Sequence, residues 1–152
     1  MITRAVRRAS TAALLGLWAA GAAWASCAAP EHGAVDIYPT AELLPENLLR
    51  IYVYYPRPMG ADQGFDHVRV LDSAGAPVSG VFLAGREDLW SPDRRRLTLL
   101  LDPGRVKTGL VANETLGRAF VPGQSYAFEV SGDALDAFGC PLGVDTRHVF
   151  EV

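Results

Sequence analysis

The sequence predicts an all-β domain, a two-sheet antiparallel sandwich of about seven strands behind a cleaved export signal. Three observations predict it. Runs of alternating apolar and polar residues recur about every ten residues, and each is closed by Pro, Gly, Asp or Asn. Past the leader, no run of about ten residues keeps a helical period. A chain of 152 residues with 49% hydrophobic and 20% charged residues supplies the apolar surface for one core.

Residues 1–25 read as a signal peptide. Arg4, Arg7 and Arg8 form its positive start, Thr11 to Ala23 its apolar stretch, and Ala23-Trp24-Ala25 a small-x-small site that sets cleavage between Ala25 and Ser26. The uncharged stretch from Ala9 to Ala29 is long enough for a membrane helix. Its alanine richness and the proline-rich, strand-like sequence behind it favour a cleaved leader, so no span is expected in the mature chain. Residues 26–34 are then a linker and 35–152 the domain. Cleavage removes three of the 14 basic residues and no acid, leaving an excess of the 17 acidic ones. An acidic exported domain is a poor candidate for nucleic acid or anionic lipid.

The strands follow in order. Val35 to Tyr38 is an edge strand stopped by Pro39. Thr40 to Leu44 has room for one helical turn before the Pro45-Glu46-Asn47 turn. Leu48 to Tyr55 is the second strand, with Leu49, Ile51, Val53 and Tyr55 on one face and Arg50, Tyr52 and Tyr54 on the other. His67 to Leu71 points its valines inward and His67 and Arg69 outward. Asp72 to Pro77 is a turn, and Val78 to Leu83 pairs back as the next strand. Leu89 to Leu110 reads as turn, strand, turn. Ser91-Pro92-Asp93 carries turn chemistry. Leu97, Leu99 and Leu101 share one face, with Thr98 and Leu100 on the other, and Asp102-Pro103-Gly104 ends the run. A strand apolar on nearly both faces belongs at the centre of a sheet. Val111 to Gly117 is a loop with a helical turn. Gln124 to Val130 is a strand with Tyr126, Phe128 and Val130 on one side. Ser131 to Gly143 is a long loop, and Arg147 to Val152 closes the fold with Phe150 and Val152 inward.

Cys27 has three readings. Trp24-Ala25-Ser26-Cys27 resembles a lipoprotein cleavage box, which would make Cys27 a lipid anchor. Cleavage after Ala25 would instead leave Cys27 free to pair with Cys140 in an oxidising compartment, or to remain a free thiol. No Cys-x-x-Cys motif supports redox catalysis.

Few residues suggest chemistry. Tyr52, Tyr54 and Tyr55 beside Arg50 and Arg57 form a surface suited to stacking on sugar or peptide, although tyrosine is also an ordinary strand residue. His32, His67, His148 and Met59 are the nitrogen and soft ligands on offer to a metal such as copper, without close ligand spacing. Asp133, Asp136, Asp145 and Glu129 crowd the region before and after Cys140, but lack the alternating ligand pattern of a calcium loop. Arg94-Arg95-Arg96 reads as a solvated turn. The motifs of serine hydrolases, zinc proteases and phosphate loops are missing from the sequence, which predicts neither an enzyme nor a cofactor.

Pro45 to Met59, a strand leaving through Pro58-Met59, resembles the opening of bacterial Ig-like domains of the S-layer-associated type. The turn and leucine-threonine-leucine run from Leu89 to Leu101 resembles their later strand. Gly123-Gln124-Ser125-Tyr126 resembles the glycine-x-x-tyrosine strand after it. The resemblance spans about Val35 to Val152; the stretch from Asp102 to Gly117 and Cys140 depart from it. It implies an Ig-like sandwich in the periplasm or cell envelope, a non-catalytic spacer or protein-interaction module whose partner is another envelope protein. The alternative expectation is a small exported metal- or ligand-binding module using His67, His148 and Met59.

Overall fold

The computed structural model describes Cys27 and residues 34–83, 88–107 and 109–152. The expected signal peptide, the expected cleavage point at Ala25–Ser26, His32 and most of the expected linker lie outside these residues.

Among the described residues the chain forms seven strands, one short α-helix and two single turns of 3-10 helix, Phe65–His67 and Pro103–Arg105. The strands are β1 (Asp36–Tyr38), β2 (Arg50–Tyr54), β3 (Val68–Asp72), β4 (Leu89–Trp90), β5 (Arg96–Leu100), β6 (Ser125–Val130) and β7 (Thr146–Glu151); the helix is α1 (Val111–Leu116). They make a four-stranded sheet in the order β1-β2-β5-β4 and a three-stranded sheet in the order β3-β6-β7. Every neighbouring pair is antiparallel.

Period-two alternation builds the core. Ile51 sits opposite Leu99 and Val53 opposite Leu97, and all four are buried with Ile37 and Tyr55. The other sheet contributes Val68, Val70, Tyr126, Phe128, Val130 and Phe150 to the same cluster. Each side chain of this size contributes about 1.5–3 kcal/mol on burial. As its composition implies, β5 is interior to its sheet, between β2 and β4.

Phe120, in the connection before β6, completes the core. It is fully buried and meets Tyr126, Phe128 and Phe150 edge-on at centroid distances of 5.1, 6.3 and 5.4 Å. The Tyr126 hydroxyl accepts a hydrogen bond from the Val121 N–H at 3.0 Å, tying that connection to the start of β6.

Four local expectations are corrected. Thr40 to Leu44 makes no helical turn. Leu44 N–H donates to the Glu151 carbonyl at 2.8 Å and Glu151 N–H to the Glu42 carbonyl at 2.7 Å, so the segment lies parallel against β7. Pairing with a strand and burying Leu44 outweighs a single helical turn, which is marginal alone. Val78 to Leu83 is no continuous strand. Isolated bridges join Pro77 to Leu71 and Phe82 to Leu101, and Gly80 between them has φ +64°, outside the β region. Leu89–Trp90, expected to begin a turn, is strand β4, so the total stays at seven. Leu49 precedes β2 and is 60% exposed instead of joining the core.

The turns follow their side chains. Asp72 Oδ1 accepts from the N–H groups of Ala74 and Ala76, and Asp102 Oδ1 from that of Gly104. At Ser91 to Asp93, Arg94 N–H closes on the Ser91 carbonyl at 2.8 Å.

Candidate interaction face

Alternation along β2 sends Arg50, Tyr52 and Tyr54 to the outer face of the four-stranded sheet. The register then sets what stands beside them. Asp36, Tyr54 and Arg96 form one cross-strand row; Tyr38, Tyr52, Thr98 and Leu89 form the next; Arg50 and Leu100 form a third. Tyr38 and Tyr54 meet edge to face at 5.3 Å and 76°. The Arg50 and Arg96 guanidinium carbons lie 5.6 and 5.7 Å from the Tyr52 ring centroid. Each such contact at an exposed site contributes about 0.5–1 kcal/mol. The ion pairs among the described residues use Arg57, His67, Arg69, Arg118 and Arg147, and neither Arg50 nor Arg96 takes part in one.

An open groove of about 530 Å³ runs alongside, lined mainly by Tyr38, Pro39, Pro45, Leu49, Arg50 and Tyr52. Pro39, which directly follows β1, and Pro45, just before the turn at Glu46–Asn47, both line it.

The aromatic cluster expected from the sequence is therefore divided. Tyr52, Tyr54 and Arg50 share the face, while Tyr55 and Arg57 leave it. Tyr55 has the parity of Ile51 and Val53, is buried, and packs on Trp90 at 5.4 Å. Its hydroxyl has no hydrogen-bond partner among the described residues, and burial, then the Asp88 carboxylate, pushes its pKa up. Arg57 pairs with Asp136 at 2.9 Å and donates to the Pro141 carbonyl at 2.8 Å. Tyr38 and Arg96 were missed by sequence reasoning. Their parity was readable; their adjacency to Tyr54 and Tyr52 follows only from strand order.

The remaining candidates are spread over one end and the second sheet. Met59 is fully buried, and its backbone N–H bonds the Arg94 carbonyl at 3.0 Å. His67 Nδ1 lies 3.0 Å from Asp133 Oδ1. His148 Nε2 lies 3.1 Å from the Ala41 carbonyl oxygen, which makes that nitrogen the donor. Among the described residues no group of three or more His, Cys, Asp or Glu is arranged to hold a metal ion.

Each acid near Cys140 has its own task. Asp136 is buried against Arg57, and its Oδ1 accepts from the N–H groups of Phe138 and Cys140. Asp145 Oδ1 accepts from the Gly132 N–H. Hydrogen bonds from Ser131 and then His67 hold the Asp133 carboxyl below its ordinary range. Glu129 lies under Arg69 and Arg147 on β3 and β7.

Cys27 and Cys140 are joined in a disulfide, with Cα atoms 5.5 Å apart. Of the three readings of Cys27, this is the one the described structure contains. The bond pins the N-terminal segment to the loop between β6 and β7. That loop is also stitched to the β2–β3 loop: Gly60 N–H bonds the Leu135 carbonyl and Ala137 N–H the Pro58 carbonyl.

Compared with protein-family models, with curated proteins and with solved structures, the chain matched none.

Proposed function

We propose that the protein is an exported, non-catalytic domain of the Ig-like kind, acting in the periplasm or cell envelope as a protein-interaction module or spacer. Strand order carries this reading. In the seven-stranded Ig sandwich, labelled A to G along the chain, one sheet runs A-B-E-D and the other C-F-G. The orders β1-β2-β5-β4 and β3-β6-β7 correspond to these strand for strand. The Tyr126 hydroxyl bonded five residues upstream, at the entrance to the sixth strand, is the arrangement called a tyrosine corner in such domains. The resemblance to S-layer-associated Ig-like domains, carried by Pro45 to Met59, Leu89 to Leu101 and Gly123 to Tyr126, agrees with it.

The disulfide supports an oxidising, extracytoplasmic location, as does the leader-like sequence of residues 1–25. A sulfur committed to Cys140 cannot also carry a thioether-linked lipid, so the reading favours a cleaved protein beginning at Ser26 over one anchored through Cys27.

The test is expression of the whole chain in a bacterial host, fractionation, and intact-mass measurement before and after reduction. The expected species is extracytoplasmic, starts at Ser26 and gains two hydrogens on reduction. A chain kept in the cytoplasm with its leader, or one carrying diacylglycerol at Cys27, would count against the reading. The binding role is tested by photocrosslinking from position 54 in cells, where a discrete protein adduct is expected and its absence leaves only the spacer role.

A further inference from the structure

We infer that the outer face of the four-stranded sheet docks an extended, acidic peptide segment of a partner protein. Its carboxylates meet Arg50 and Arg96, and an apolar side chain enters the groove beside Tyr38 and Tyr52. The inference rests on the interaction-module reading and names the partner's chemistry.

Charge gives the first argument. The chain has 17 acidic residues against 14 basic ones, and Arg57, Arg69, Arg118 and Arg147 each reach a carboxylate. Arg50 and Arg96 instead converge on one tyrosine ring from neighbouring strands. A guanidinium resting on a ring keeps its N–H fork available and has already lost much of its rotamer freedom. Two such groups side by side are preorganised for carboxylates.

The groove gives the second. Its walls include Pro39, Pro45, Leu48 and Leu49, and Arg50 and Tyr52 belong both to it and to the cationic cluster. An apolar side chain next to an acidic one would therefore engage both features at once. A sugar fits less well. Its hydroxyls would lose water to an apolar wall without recovering hydrogen bonds, and the Tyr52 ring that would stack on it already carries two arginines. An extended segment in an aromatic-lined groove is a common mode of peptide recognition.

The experiment selects a phage-displayed random-peptide library on the purified, disulfide-bonded chain and titrates enriched peptides by fluorescence polarisation. Enriched sequences are expected to place Asp or Glu within a few residues of Leu, Phe or Pro. Their affinity should fall about tenfold or more in the double variant Arg50→Glu/Arg96→Glu and in Leu49→Asp. Circular dichroism should be unchanged, because these side chains are exposed. No enrichment, enrichment of peptides without an acid, or affinities indifferent to charge reversal would overturn the inference. So would polygalacturonate binding that the same variants abolish and peptides fail to compete, which would make the occupant a glycan. Self-association in sedimentation, lost in the double variant, would make it a second copy. All readouts use purified protein, so failure here leaves export and the disulfide untouched.

Discussion

Glu129 stands in the middle of β6 with none of its side chain exposed, while Arg69 and Arg147, more than half exposed, reach it from β3 and β7. All three occupy one cross-strand row. A buried carboxylate is tolerable only while it is paired. The variant Arg69→Ala/Arg147→Ala should lose about 3–5 kcal/mol in urea unfolding. Glu129→Leu, which removes the charge along with its need for partners, should cost clearly less. Equal losses would show that packing alone holds the site. Arg105 poses a related case, with no ion pair to an acid among the described residues. It is 3% exposed and donates to the carbonyls of Ser79, Leu116, Gly117 and Arg118. Desolvation lowers its pKa, partly offset by Asp102 and then Tyr126. A lysine has no planar fork to serve four carbonyls, so Arg105→Lys should destabilise by about 2 kcal/mol or more. Asp133 gives a pH dependence with a definite sign. Its carboxyl is held low by Ser131 and His67, so its contribution is complete above its unfolded pKa of about 3.9 and fades as pH falls through the lower folded value. Thermal melts below about pH 4 should therefore show a smaller acid-induced decline in Asp133→Asn than in the parent.

The elements show where alternation is a sufficient guide and where it is not. For β2, β3, β5 and β6 the apolar residues of one parity are buried, because each strand has one face on a common core. At Val78 to Leu83 the composition is strand-like, yet Gly80 at φ +64° interrupts the ladder. A Cβ there would stand 3.1 Å from Leu116 Cδ1, with the added strain of left-handed backbone. Gly80→Ala should therefore destabilise by about 1–2 kcal/mol in urea unfolding, and an unchanged midpoint would refute this account of the interruption. The segment from Glu42 to Leu44 carried no sign of its role, since pairing with Glu151 is a contact across most of the chain. Phe120 was equally silent: a lone aromatic in a connection has no periodicity. Phe120→Ala should cost about 3–5 kcal/mol, more than any surface tyrosine, because Tyr126, Phe128 and Phe150 all lose their partner.

Across the whole molecule, one covalent bond spans almost the entire domain. Cys27 and Cys140 are 113 residues apart, and closing so long a loop removes about 4–5 kcal/mol of unfolded-chain entropy in the simplest model. Reduction, or Cys27→Ser, should lower the melting temperature by several degrees or more, whereas a midpoint unmoved by reductant would mean that the sheets alone set the stability. Composition and alternation determined the all-β class, the central place of Leu97 to Leu101 and the outward direction of Arg50, Tyr52 and Tyr54, because each is a local property of side-chain spacing. Only the tertiary structure decided that Tyr38 and Arg96 join them, that Tyr55 and Arg57 do not, and that Glu129 is enclosed. Those outcomes depend on which strands lie side by side and in what register, and that is fixed by burial summed over the whole core, which no single stretch of chain contains.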